Sequence, residues 1–180
     1  MPTSSAGMQQ NIYLIGPMGV GKTTIGRILA RGLHMEFMDS DQEIERQTGV
    51  SISTIFDIEG EAGFRRRETS ALEALTLRRN MVLATGGGAV LEDVNRRALR
   101  STGFVVYLHA SVDMQLKRTR SSKNRPLLDT EDPRATLEGL MEVREPIYRR
   151  EADLVMSTDD RSPAALARDL VQEIRHKCAS

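Results

Sequence analysis

The chain has 180 residues, enough for one domain with a substantial core and short for two. Lys plus Arg and Asp plus Glu both number 25, so no global positive charge draws the chain onto nucleic acid, and any polyanion has to be met locally. No apolar run approaches the ~20 residues that cross a bilayer, and the single cysteine, Cys178, has no partner for an intrachain disulfide.

Residues 1–10 are small and polar, without the basic start and apolar centre of a signal peptide. They are expected to form a disordered tail ahead of one domain over residues 11–177, in a cytoplasmic protein with no membrane or nucleic-acid partner. The first strand is expected at 12–15. It runs into Gly16-Pro17-Met18-Gly19-Val20-Gly21-Lys22-Thr23, which fits GxxxxGK[ST], and a helical apolar pattern follows at Ile25, Ile28, Leu29 and Leu33. The glycines lack a Cβ, so successive N–H groups can turn inward around phosphate oxygens, and the opening helix adds its unpaired N–H groups. Lys22 would then reach the β and γ phosphates of a nucleotide, and the Thr23 hydroxyl would bind Mg²⁺. The competing reading is a glycine-rich turn without chemistry.

Further short apolar runs at 36–38, 81–84, 104–108 and 153–156 alternate with amphipathic stretches. This is an α/β pattern: a parallel sheet with helices on both faces and ligands at the carboxyl ends of the strands. The second strand leads to Asp39-Ser40-Asp41. If the chain is still extended there, both carboxylates lie on one side, with Asp39 available to hold Mg²⁺ through its water shell and Asp41 to accept a proton from an attacking hydroxyl. Alternatively, Ser40 or Asp41 caps the helix containing Ile44. The 81–84 strand ends in Thr85-Gly86-Gly87-Gly88 where many P-loop enzymes place a metal-binding aspartate, which leaves Asp39 as the best-placed metal carboxylate. The triple glycine marks a close approach of backbone to something else. No Asn-Lys-x-Asp run is present to read guanine.

The helical stretch 55–68 carries Arg65, Arg66 and Arg67, either a carboxylate or phosphate clamp or a solvated face with Arg65 paired to Glu61 or Glu68. Lys117, Arg118, Arg120, Lys123 and Arg125 are dense around an irregular segment of lid length, and Arg125 precedes Pro126 within it. Arg144, near the end of a helix containing Leu137, Leu140 and Met141, either turns towards the cleft or pairs with Glu142 or Glu145. Ser162-Pro163 starts a last helix whose face of Ala165, Leu166, Leu170, Val171 and Ile174 serves packing.

Taken together the motifs resemble the shikimate kinase family of nucleoside-monophosphate-kinase-like P-loop enzymes. The likeness spans residues 11 to about 163: GPMGVGKT, DSD at 39–41, GExxFRxxE at 60–68, GGG at 86–88, RPLL at 125–128 and RxPxY at 144–148. The resemblance implies a three-layer α/β/α fold with a central five-stranded parallel sheet, a lid at about 117–133 and a substrate-binding helical region at about 40–80. It also implies transfer of the γ-phosphate of ATP to the 3-hydroxyl of shikimate, with Mg²⁺, by an enzyme expected to be a monomer. Gly19, Val20, Gly21, Lys22, Thr23 and Thr24 would hold the phosphates, Thr23 and Asp39 the metal, and Arg118 and Arg161 the adenine side. Arg65 and Arg144 would grip the shikimate carboxylate, Asp41 the ring hydroxyls, and Gly86, Gly87 and Gly88 would wall the pocket. Lys22, Asp41 and Arg125 would be catalytic. Ser157-Thr158 replaces the Asp-Thr pair of many members, which bears on the contact from Arg161. The rival readings are another small-molecule kinase, such as a gluconate kinase, and a nucleotide-binding module that has lost catalysis. The shikimate reading requires the triphosphate and the cyclic acid to lie end to end in one crevice with cationic groups at either extremity, and Lys22 and Arg65 facing separate cavities would exclude direct transfer.

Overall fold

The structure is a computed structural model that describes residues 10–120 and 126–178. Strands β1 (Asn11–Ile15), β2 (Glu36–Asp39), β3 (Met81–Ala84), β4 (Gly103–His109) and β5 (Leu154–Ser157) form one sheet in the order β2-β3-β1-β4-β5, with every pairing parallel. Parallel neighbours require long crossovers, and helices α1 (Lys22–Leu33), α2 (Ser40–Thr48), α3 (Ile52–Thr76), α4 (Asp93–Thr102), α5 (Val112–Thr119), α6 (Pro133–Glu151) and α7 (Pro163–Cys178) supply them. The five runs read from the sequence all coincide with strands. The last is displaced by one residue because Asp153 is spent on anchoring: its carboxylate accepts from Val105 N and its own N–H donates to Val105 O, both at 2.8 Å.

Alternation along β1 divides the core into two layers. Ile12 and Leu14, with Val82, Val106 and Leu108, pack against Leu29 of α1 and against Leu166, Leu170 and Ile174 of α7. Tyr13 and Ile15, with Leu83, Val105 and Tyr107, pack against Leu72 of α3, Leu99 of α4 and Met141 and Tyr148 of α6. Strand residues covered on both faces read as unbroken apolar runs, and each large side chain buried this way stabilises the fold by roughly 1.5–3 kcal/mol. A smaller cluster of Ile44, Ile52, Ile55, Phe64 and Ala71 holds α2 against α3, away from the sheet. The cap of α7 follows the sequence reading, with Ser162 Oγ accepting from Ala165 N at 3.2 Å ahead of Pro163.

Two local features position the site. Gly60 breaks α3 with φ 69° and ψ −179°, a backbone state open to glycine, so the segments on either side of the kink both reach one cavity. Helix α6 continues through Pro146 to Glu151 and carries Arg144 and Tyr148 under the triple glycine. The carboxyl ends of β1, β2 and β3 then converge on the loop between β1 and α1.

Candidate active site

The glycine loop is built by backbone states that other residues rarely adopt: Gly16, Gly19 and Gly21 have φ of 143°, 78° and 88°. A Cβ on Gly16 would collide with the carbonyl oxygen of Leu108, and Gly21 ends the loop in a left-handed turn with no side chain capping α1. No side chain competes with an anion for the N-terminus of α1. Lys22 Nζ donates to the carbonyl oxygens of Gly16 at 2.6 Å and Pro17 at 2.8 Å, which holds the ammonium across the loop mouth. Around it lies a cavity of about 320 Å³ whose lining includes Gly19, Gly21, Lys22, Thr23, Thr24 and Asp39.

Thr23 and Asp39 meet, with Thr23 Oγ1 donating to Asp39 Oδ2 at 2.6 Å. The route differs from the sequence expectation. The chain is not extended through Asp41, because α2 begins at Ser40, and the capping residue is Asp39 itself: its Oδ1 accepts from Asp41 N at 2.9 Å and Gln42 N at 3.1 Å. One oxygen serves the helix and the other faces Thr23. A hydroxyl and a carboxylate oxygen side by side suit Mg²⁺, which takes few protein ligands and completes its shell with water and phosphate oxygens. Among the described residues no group of three or more His, Cys, Asp or Glu side chains forms an all-protein cage.

A second cavity, of about 90 Å³, lies on the other side of Asp41. Its cationic end is Arg65 and Arg144, its apolar wall Ile52, Phe56, Phe64 and Leu127, and its floor Gly86, Gly87 and Gly88. Both pairings expected of Arg65 are made, Nη1 to Glu68 at 2.8 Å and Nη2 to Glu61 at 3.2 Å, but the side chain is no solvated face: it is only 11 % exposed and its guanidinium lines the cavity. Arg144 turns towards the cleft, since the residue is 4 % exposed and lines the cavity. The triple glycine owes its composition to space. A Cβ on Gly86 would fall 2.6 Å from Glu68 Oε2 and 2.9 Å from Asp41 Oδ1, and one on Gly88 would overlap the Arg65 guanidinium.

Lys22 and Arg65 thus line different cavities, but the two are lobes of one crevice that share Met18, Asp41, Gly86 and Gly87. Asp41 is the hinge point of the charge distribution. Burial first, then Glu68 and Asp39, raise its pKa to about 7, with Lys22 and Arg65 pulling the other way. Its Oδ1 is buried without a hydrogen-bond partner among the described residues, as is Glu68 Oε2. Glu68 is fully buried and also held above the usual carboxylate range by burial. A carboxylate of this kind, poised near neutrality beside an unfilled polar space, is suited to receive a hydroxyl proton.

On the phosphate side, Arg118 Nη1 donates to Gly19 O at 3.2 Å and to Thr158 Oγ1 at 2.9 Å, and Nη2 donates to Thr158 O at 3.0 Å, joining the glycine loop to the segment after β5. Arg161 is paired with Asp169 of α7 and does not line either lobe. Arg125 lies outside the described residues, as do residues 1–9. Among residues the sequence reading did not single out for the site, Glu68, Ser40, Thr158 and Tyr148 stand out: Ser40 Oγ accepts from Gly86 N at 3.1 Å, and Tyr148 donates to Gly87 O. Glu68 and Tyr148 end two of the quoted motifs, which was the one signal available.

Comparison with known proteins agrees with this geometry. A family model described as "Shikimate kinase" matches residues 18–175. The shikimate kinase of Hahella chejuensis is 54% identical over 167 residues, 93% of this chain and 87% of that protein. That of Thioalkalivibrio sulfidiphilus is 58% identical over 164 residues, 91% and 84% of the two chains. The structure of shikimate kinase from Acinetobacter baumannii in complex with shikimate superposes with a TM-score of 0.94 at 49% identity, covering 98% of both chains. A gluconokinase from Sinorhizobium meliloti shares the fold alone, at 13% identity and a TM-score of 0.57. With its glycine loop, its two-lobed crevice and these relatives, the chain belongs to the shikimate kinase family.

Proposed function

We infer that the chain transfers the γ-phosphoryl group of ATP to the 3-hydroxyl of shikimate, giving shikimate 3-phosphate and ADP, a step towards chorismate and the aromatic amino acids. The observation that carries this reading is the two-lobed crevice: cations line both lobes, Lys22 one and Arg65 with Arg144 the other, and Asp41 lines both. An anionic ring acid clamped by its carboxylate presents its hydroxyls to Asp41 and its far side to the γ-phosphate. The acceptor oxygen bonds to the γ-phosphorus, the bond to the β–γ bridging oxygen breaks, ADP leaves, and the hydroxyl proton passes to Asp41.

Thr23 and Asp39 would hold Mg²⁺, whose chemistry when bound is to neutralise charge on the phosphate oxygens. Gly19, Val20, Gly21, Lys22, Thr23 and Thr24 cradle the phosphates. Arg118 lies at the adenine side, and Arg161 joins it there only once its pair with Asp169 opens. We assign the catalytic lid arginine to Arg125 within residues 117–133 by family resemblance, and the acceptor-binding region to residues 40–80. ADP release with shikimate, gluconate and nucleoside monophosphates in separate reactions tests the reading: activity with shikimate is expected, and activity with gluconate alone would overturn it.

A further inference from the structure

The hydroxyl of Tyr148 sits between two parts of the acceptor lobe without lining it. It donates to the carbonyl oxygen of Gly87, and Arg144 Nη1 lies 3.5 Å from where a Cβ on Gly87 would stand. The ring is fully buried and stacked on Tyr107, with centroids 5.0 Å apart. Burial pushes the phenol up to about 12, so it keeps its proton and its role as donor throughout the neutral range. The Gly87–Gly88 peptide is trans, and its N–H points opposite to its carbonyl. Tying the Gly87 oxygen to Tyr148 therefore turns the Gly88 N–H away from Tyr148, and Gly88 lines the cavity beside Arg65 and Arg144.

We propose that Tyr148 is a positioning residue for the acceptor: its hydroxyl fixes the Gly87–Gly88 peptide beside the Arg144 guanidinium, so that a substrate carboxylate meets both together. This rests on the clamp role of Arg144 given above. Tyr107 provides the control. It is the other half of the ring stack and equally buried, but its hydroxyl has no hydrogen-bond partner among the described residues.

The test is steady-state kinetics of Tyr148→Phe, Tyr107→Phe, Arg144→Ala and the double variant Tyr148→Phe/Arg144→Ala. Loss of the bond that fixes the Gly87–Gly88 peptide should raise the shikimate KM of Tyr148→Phe about fivefold and leave the ATP KM within about twofold. Tyr107→Phe should behave as the unsubstituted enzyme. The double variant should fall well short of the product of the two single effects, because both residues serve one carboxylate and their effects are not additive. Equal changes in both KM values, equal effects of the two phenylalanine variants, or a multiplicative double variant would each overturn the proposal. An unchanged shikimate KM in Arg144→Ala would instead defeat the clamp reading. If Tyr148→Phe is too unstable, saturating ADP holds the folded form by mass action, and shikimate binding is then measured by calorimetry with the same expected ratios.

Discussion

Replacing Arg65 by alanine should produce two effects that can be separated. The first is on binding: a charge-assisted contact to a carboxylate is worth roughly 1.5–3 kcal/mol, so the shikimate KM should rise roughly 10- to 150-fold while the ATP KM barely moves. The second is on stability. Arg65 is the ion-pair partner of Glu68 at 2.8 Å, and Glu68 is fully buried. Removing one member of such a pair costs on the order of 3–5 kcal/mol, or roughly 6–20 °C in Tm for a chain of this size. Burial already raises the pKa of Glu68, with Arg65 lowering it, and losing Arg65 raises it further. The stability associated with a raised acid is present below its unfolded pKa and lost as pH climbs through the folded value. The Arg65→Ala deficit should therefore be small near pH 5 and grow towards pH 8. Adding Glu68→Gln should restore Tm at pH 8 without restoring the shikimate KM. Calorimetry across that pH range and kinetics with each substrate varied decide the matter. A Tm deficit independent of pH, or one that persists in the double variant, would refute the reasoning about Glu68, and equal rises in both KM values would refute the clamp.

Asp41→Asn should abolish turnover while ATP still binds, as titration calorimetry would show; near-normal turnover would remove Asp41 from the reaction. Its carboxyl moves from an ordinary 3.8 to about 7 on folding, so the favourable contribution of the protonated form is lost as pH rises from about 4 through 7. Without magnesium, Asp41→Asn should thus be more stable than the unsubstituted protein at pH 8, by at most about 4 kcal/mol, and close to it at pH 4. Asp39 does two jobs through two oxygens, and two substitutions divide them. Asp39→Asn retains a capping side chain and should keep Tm while raising the magnesium requirement. Asp39→Ala should lose about 1 kcal/mol of helix cap as well.

The parts of the fold legible in the sequence are those written in local patterns. Five apolar runs, the glycine loop opening into α1 and the Ser162-Pro163 start of α7 all depend on neighbours a few positions apart, and all stand where expected. The junction of Asp39 and Asp41 departs from the extended geometry expected of it. Alternation along a strand was assumed, whereas Asp39 turns the chain by accepting two N–H groups of α2. The arginines show the other limit. Helical spacing offers Glu61 and Glu68 as partners for Arg65, and both are used, but spacing says nothing of the cavity that the same guanidinium lines. Glu145, a candidate partner of Arg144, bonds Arg149 instead at 2.7 Å. Tyr148 and Gly87 are 61 residues apart, and only the packing of α6 against the turn that follows β3 brings them together.

Direct transfer requires the two anions to lie end to end across Asp41. The stereochemical course at phosphorus tests it most directly, using ATP made chiral at the γ-phosphorus with oxygen isotopes and shikimate as acceptor. Direct in-line transfer requires inversion in the shikimate 3-phosphate formed. Retention would mean two successive displacements through a phosphorylated enzyme, and would contradict a crevice in which donor and acceptor meet face to face.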